Sequence, residues 1–296
     1  MKEKYDVIIV GSGMAGMTAA IYLKRGGLNP LVIEEGAPGG QLNKINVIEN
    51  YPGFAKTDGP TLSAEVFKQV EALNVEYLYD KVVKLDLTKE EKMVKTINHK
   101  LYCKYLVIAT GRLSKKLFSD DDRYAGKGIS YCALCDGNLY KGQDVAVVGG
   151  GNSAMEEALY LSELCKSVTV IHRSETLRAD AALIEDAKKT KNIKFVYNAN
   201  VSEYNIENGK LSSVLLDTGE TLKVSGLFIS IGSSPSAEIF DVEKDKGFII
   251  VDDECMTNVE NVYACGDVIK KNVYQLTTAA GEGTTVAYSI IKKSKK

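Results

Sequence analysis

Short apolar runs alternate along this chain with stretches of helical period. Residues 5–10 form one such run, and it ends directly on Gly11-Ser12-Gly13-Met14-Ala15-Gly16. An apolar helical pattern over 17–23 follows and is stopped by Gly26-Gly27. A second run, 30–33, ends on Glu34-Glu35. The pattern predicts strand, glycine turn, helix, strand and acidic residue, in that order. From Asp144 the order returns. Residues 145–148 read as the strand, Gly149-Gly150-Gly151-Asn152-Ser153-Ala154 as the turn, 155–164 as the helix and 168–171 as the second strand.

The rest fills in around these two units. Residues 61–73 read as a helix, and 75–87 with 93–97 read as strands of a small meander. The run at 106–109 is another buried strand, ending near Gly111. Residues 193–197, 201–206 and 211–215 read as strands, the last two joined by Asn208-Gly209, a hairpin signal. The apolar run 227–230 ends near Gly232, the chain is expected to rejoin the first domain from 248–251, a strand is expected at 262–264, and a last helix reaches Ile291. Strands alternating with helices place the chain in the α/β class, with two Rossmann-like dinucleotide-binding units.

Each residue of the first unit has a physical reason. Gly11 permits the tight turn, Gly13 lets the backbone approach a pyrophosphate, and Gly16 packs the helix close to the strand. The helix N-terminus attracts phosphate, and Glu34 can accept from ribose hydroxyls. In the second unit the acid is replaced by His172-Arg173-Ser174, with Arg178 beyond. Arginines in that place favour a 2′-phosphate, hence NADPH over NADH. Gln41 and Asn50 lie in loops after the first unit, where a bound ring system extends. They are equally readable as ordinary turn residues.

Composition narrows the field. The chain has 296 residues, 45% hydrophobic and 26% charged, as expected of a globular enzyme with one large or two ordinary domains. Net charge is −2, and the only basic block is the short tail at 292–296, so no nucleic-acid partner is expected. Residues 7–23 carry no charge, but their three glycines fit a strand–turn–helix better than a membrane span or signal peptide. The reading is a cytoplasmic protein with no membrane partner.

Six cysteines are too few for a disulfide scaffold of this length. Only Cys132 and Cys135 are close in sequence. Such a pair can close and open reversibly, carrying two electrons and two protons per cycle. Cys103, Cys165, Cys255 and Cys265 are expected as buried packing residues. The only histidines, His99 and His172, are not placed for zinc, and no metal site is expected. Asp136 stands beside the second sulfur. It can shuttle a proton if burial raises its pKa; Asp136-Gly137 is also an ordinary turn pair.

Together the motifs resemble the low-molecular-weight thioredoxin reductases, flavoproteins that use FAD and NADPH. The stretches that carry the likeness are GSGMAG at 11–16, GGQL at 39–42, ENYPG at 49–53, ATG at 109–111, CALCDG at 132–137, GGGNSAMEEALYL at 149–161, HRSETLRA at 172–179, ACGD at 264–267 and QLTTAAGEG at 275–283. They run in family order over nearly the whole chain. The resemblance implies two dinucleotide-binding domains of three-layer ββα type, one inserted in the other. The FAD domain is expected over 1–113 and 237–296, the NAD(P)H domain over 114–236, with hinges near 111–114 and 233–236 about which the two rotate. It also implies a homodimer.

Carried over by position, Cys132 and Cys135 are the redox pair and Asp136 the proton donor. The roles of the two sulfurs are unassigned. FAD would be held by Gly11, Ser12, Gly13, Ala15, Gly16 and Glu34, then by Gly40, Gln41, Leu42, Asn50 and Val83. Ala109, Thr110, Gly111, Gly266, Asp267, Gln275 and Leu276 complete that set. The nicotinamide cofactor falls to Gly149, Gly151, Asn152, Ser153 and Ala154, with His172, Arg173 and Arg178. Two departures matter. Ser174 stands where the family usually has a second arginine, and Tyr274 where it has an arginine before the glutamine. A hydrogen bond to a charged group contributes about 1.5–3 kcal/mol. Its loss leaves NADH, or ferredoxin with no pyridine nucleotide, open as donor. A flavin redox sensor without steady turnover is the remaining alternative.

Overall fold

The computed structural model describes residues 3–45 and 48–295. The chain folds into two compact units. One is formed by Met1–Asn43, Ile48–Leu113 and Ser234–Lys296, and the other is centred on Ser114–Ser233.

The first unit begins with β1 (Lys4–Val10), α1 (Met14–Arg25) and β2 (Pro30–Glu34), as the hydrophobic pattern predicts. Then come α2 (Gly59–Ala72), β3 (Glu76–Tyr79), β4 (Val82–Asp86), β5 (Lys92–Thr96) and β6 (Lys100–Ile108). Strands β3, β2, β1 and β6 lie side by side and parallel. Strand β6 is long enough to serve twice. Along one edge Tyr102–Ile108 pairs with β1, and along the other edge the first half, Lys100–Cys103, pairs antiparallel with β5, which carries β4. Ile8, Val10, Leu31 and Ile33 face the same core as Val82, Val94 and Leu101, so one face of the parallel sheet packs on this meander. Val7 and Ile9 are equally buried and, by the pleat, point to the opposite face.

The continuous strand region expected at 75–87 is two strands. Asp80 interrupts it, buried and accepting from Thr96 Oγ1 at 2.6 Å, Lys81 N–H at 2.8 Å and Asn98 N–H at 3.2 Å, with His99 Nδ1 at 3.2 Å. That carboxylate ties the corner between β3 and β4, and the chain changes from parallel to antiparallel pairing there.

β7 (Arg112–Ser114) leads into the second unit. Its strands are β8 (Ile129–Ser130), β9 (Asp144–Val148), β10 (Ser167–His172), β11 (Ile193–Tyr197), β12 (Val201–Glu207), β13 (Lys210–Leu216), β14 (Thr221–Lys223) and β15 (Gly226–Ile229). Its helices are α3 (Ala133–Asp136), α4 (Asn152–Leu164) and α5 (Ala181–Lys189). The parallel sheet runs β11-β10-β9-β15-β8, and β12-β13-β14 form a separate antiparallel sheet. Val145, Val147, Val168 and Val170 pack with Met155, Ala158 and Leu161 of α4 and Ala187 of α5. Ala146, Val148 and Ile171 pack instead with Val201, Leu211, Val214 and Leu216 of the antiparallel sheet. Alternation along each buried strand thus builds helix, parallel sheet and antiparallel sheet as three layers.

The return is made by β16 (Ser233–Pro235), which pairs with β7. After two short strands, β17 (Lys244–Asp245) and β18 (Phe248–Ile249), β19 (Val262–Ala264) adds to the first sheet beside β6. Helix α6 (Leu276–Ser294) then packs against α1. The two approach closely, since a Cβ on Gly283 would collide with the Ala15 carbonyl oxygen. Among the described residues, no helix is long and apolar enough to cross a membrane.

Candidate active site

In the first unit the turn after β1 has the predicted shape for steric reasons. Gly11 has φ +100°, and a Cβ there would meet the Ala109 carbonyl; a Cβ on Gly16 would strike the Gly11 carbonyl. Gly13 differs, with nothing within 4 Å of the place its Cβ would take. Open space thus stands before a helix N-terminus whose first bond is Met17 N–H to Gly13 O at 3.0 Å.

Glu34 braces this turn. Its Oε2 accepts from Ser12 N–H at 2.8 Å and Ser12 Oγ at 3.0 Å, and Oε1 accepts from Gly36 N–H at 2.9 Å. Tyr77 of β3 donates to Ser12 Oγ at 2.7 Å. Sequence reading missed Tyr77, because a strand residue gives no sign of which hydroxyl it will meet.

Other expected residues gather on the same turn. Gly39 N–H donates to Ser12 O at 2.8 Å, Gly40 lies against Gly13, and Leu42 is buried while Gln41 is exposed. Gly266, at φ +79°, abuts Ala15, and its N–H donates to Glu282 Oε2 at 2.8 Å. Asn50 Nδ2 donates to Gln275 Oε1 at 3.3 Å, and Gln275 caps α6, whose first residue is Leu276. Ala109 N–H donates to Val10 O, Gly111 has φ +67°, and Thr110 Oγ1 donates to Ser236 O at 2.5 Å. Val83 is exposed on β4.

Asp267 is half-buried among cations. Arg112 Nε is 3.4 Å from Oδ2, and Lys271 Nζ is 3.3 Å from Oδ1. The Arg112 guanidinium also lies 4.1 Å over the Tyr274 ring. The residue that departs from the family pattern at 274 is therefore the platform for an arginine.

The second turn repeats the first. Gly149 is held at positive φ with the Ser230 carbonyl against its Cβ position, and Gly151 has nothing within 4 Å. Ala154 N–H donates to Gly151 O at 3.1 Å, and Ala154 is buried while Ser153 is exposed. Asn152 exchanges two hydrogen bonds with Asp180, and Arg178 N–H donates to Gly150 O at 2.6 Å, which binds the 173–180 loop to the turn. Arg173 and Arg178 are exposed. His172 is buried, its ring filling the space beside Gly150 and its Nε2 3.1 Å from Thr176 O. Burial, helped by the charges of Arg178 and Arg173 and opposed by the hydrogen bond to Thr176 O, lowers its pKa.

Cys132 and Cys135 are joined as a disulfide, and the other four cysteines are free and buried. Cys132 caps α3, its Sγ accepting from Cys135 N–H at 3.2 Å. Asp136 ends this turn. Its Oδ2 accepts from Ser130 Oγ at 2.7 Å, while Oδ1 is buried with no hydrogen-bond partner. Burial raises its pKa above the usual carboxylate value, with the Ser130 hydrogen bond opposing the rise. An acid that holds its proton above its ordinary pKa beside a disulfide is equipped to protonate a departing sulfur.

The model for pyridine nucleotide-disulphide oxidoreductases matches residues 5–283. The chain belongs to that family. Its relatives include the thioredoxin reductase of Bacillus subtilis (strain 168), 40% identical over 295 residues, covering 97% of this chain and 93% of the relative. The thioredoxin reductase of Mycoplasma genitalium is 38% identical over 97% of this chain and 94% of its own. The crystal structure of thioredoxin reductase from Streptococcus pyogenes MGAS5005 superposes with a TM-score of 0.93 at 38% identity, covering 100% of this chain and 99% of the other. This pyridine nucleotide-disulphide oxidoreductase thus carries two glycine turns, each with open space, and one disulfide with a buried acid beside it.

Proposed function

We propose that this protein is a thioredoxin reductase that passes electrons from NADPH through FAD and the Cys132–Cys135 disulfide to thioredoxin. The observation that carries the reading is the disulfide beside Asp136, in a unit that also carries a dinucleotide turn of its own. Bound FAD supplies an electron carrier that accepts hydride and delivers its electrons to a disulfide.

In the first unit Gly13 leaves room for the pyrophosphate, and the turn braced by Glu34 and Ser12 aims helix N–H groups at it. Gly266, Asp267 and Gln275 belong to the same cradle. In the second unit Gly151 gives the corresponding room for NADPH, and exposed Arg173 and Arg178 offer two cations for a 2′-phosphate. In the outgoing step a sulfur attacks the thioredoxin disulfide, and the mixed disulfide resolves when its partner cysteine attacks in turn. Asp136 supplies the proton that a nascent thiolate needs.

Relatives named thioredoxin reductase at about 40% identity over nearly the full length support the choice of substrate. In the same reading the protein works as a homodimer, and light scattering checks that directly. The donor is tested by stopped-flow comparison of NADPH, NADH and reduced ferredoxin. NADPH is expected to bleach the flavin fastest. Bleaching by ferredoxin alone would replace the donor and leave the dithiol chemistry in place. Replacing either Cys132 or Cys135 by serine should abolish thioredoxin reduction and leave flavin bleaching intact.

A further inference from the structure

We infer that Ser130 is a positioning residue for the disulfide chemistry: its hydroxyl holds Asp136 through Oδ2, so that Oδ1 is the atom that carries and releases the proton. The inference rests on the acid role proposed above for Asp136.

Ser130 ends β8 and is 2% exposed. Its Oγ accepts from Cys132 N–H at 3.1 Å, so the cysteine motif itself occupies one side of the oxygen. A hydroxyl has a single proton to give. Two acceptors are within reach, Asp136 Oδ2 at 2.7 Å and Cys132 O at 3.4 Å, and the shorter bond is the better one. With Oδ2 engaged as an acceptor, the proton of the neutral acid resides on Oδ1. That atom is buried and has no partner. Ser130 thus connects the backbone of one cysteine to the carboxyl group that serves the pair.

The step balances without further groups. Two-electron reduction breaks the S–S bond and leaves two thiolate sulfurs, the electron pair coming from a reduced flavin. Asp136 gives its Oδ1 proton to one of them: an O–H bond breaks and an S–H bond forms. The carboxylate left behind keeps its hydrogen bond from Ser130 until solvent reprotonates it.

Tyr140 lies on the following turn, Tyr160 of α4 packs against Gly137, and Glu157 stands one turn before Tyr160 on the same helix. Tyr140 is pushed up to about 12, by burial first and then by the Asp136 charge, so it stays neutral while Asp136 titrates. The Ser130 bond favours the carboxylate, and removing it lets burial raise the acid further.

The test uses the FAD-loaded full chain, with kcat/KM for thioredoxin followed against pH. Asp136→Asn should remove the basic limb. Ser130→Ala should move that limb upward by roughly one pH unit, and Ser130→Thr, which keeps the hydroxyl, should return it toward the wild-type position. A Ser130→Ala limb at the wild-type position, with Asp136→Asn still lacking one, overturns the role of Ser130 alone. A limb that survives in Asp136→Asn overturns the acid assignment and the inference with it. Infrared difference spectra of wild type against Asp136→Asn at acid pH provide a second readout that needs no Ser130 variant. A carbonyl stretch lowered by a hydrogen bond is expected, because Oδ2 is then the carbonyl oxygen. A free-carbonyl stretch would mean that the proton sits on Oδ2, and would overturn the proposal.

Discussion

Gly13 and Gly16 are three residues apart in one turn, yet they answer to different demands. Gly16 is needed by the fold, because its Cβ would strike backbone; Gly13 faces open space at φ −68°. Gly16→Ala should therefore destabilise the protein by about 1–3 kcal/mol, as overpacking does. Gly13→Ala should leave the melting temperature of the flavin-stripped protein nearly unchanged and weaken FAD binding at least about tenfold, because the methyl group would enter the space proposed for the pyrophosphate. Thermal melts and flavin titrations of both variants check this contrast. The same reasoning applies to the exposed arginines of the second unit. Arg173→Ala or Arg178→Ala should raise KM for NADPH roughly tenfold and leave KM for NADH unchanged, if a charge-assisted bond to the 2′-phosphate is lost. Glycine turns are legible in a sequence because hard-sphere contact decides them. Ser130 was not legible, since its partners are chosen by a turn that forms only on folding. His172 looked like one more member of the nucleotide set, and its place under Gly150 comes from a packing contact that no spacing reveals.

At the scale of elements, buried strands were read well where apolar residues dominate the run, as in β1, β9 and β10. The first half of β6 was not, because Lys100 and Lys104 interrupt the run while Leu101 and Cys103 face inward. Helix α5 was also missed: only Ala187 of it is buried, so its apolar stripe is thin. The corner at Asp80 divides what read as one strand region. Burial alone would raise the pKa of Asp80; the bonds from Thr96, Lys81 N–H, His99 and Asn98 outweigh that and hold the carboxyl well below its usual range. A carboxyl with a lowered folded pKa stabilises the fold above its unfolded value, near 4, and loses that contribution as pH falls. Acid should thus loosen the meander, and Asp80→Asn should lower the melting temperature at neutral pH and flatten its fall below pH about 4. Melting curves taken against pH check both. Asp136 has the opposite sign. Its raised pKa costs stability as pH climbs through the interval between the unfolded and folded values.

For the whole molecule, two nucleotide folds in one chain require two electron-carrying ligands or one that is redundant, and the disulfide gives the electrons somewhere to go. The repeat of strand, turn and helix was plain from periodicity, because each repeat buries a parallel strand under a helix. The third layer of each unit was only half legible, since its strands are short and half-exposed and depend on the parallel sheet for a core. The account turns on the disulfide being an electron store in series with the flavin. Anaerobic titration of the FAD-loaded protein with NADPH, followed by flavin absorbance and thiol count, tests that most directly. Wild type should take up one more electron pair than the Cys132→Ser/Cys135→Ser variant, and the extra pair should appear as two thiols. Equal uptake by both proteins, with the wild-type disulfide still closed after the flavin has bleached, would contradict it.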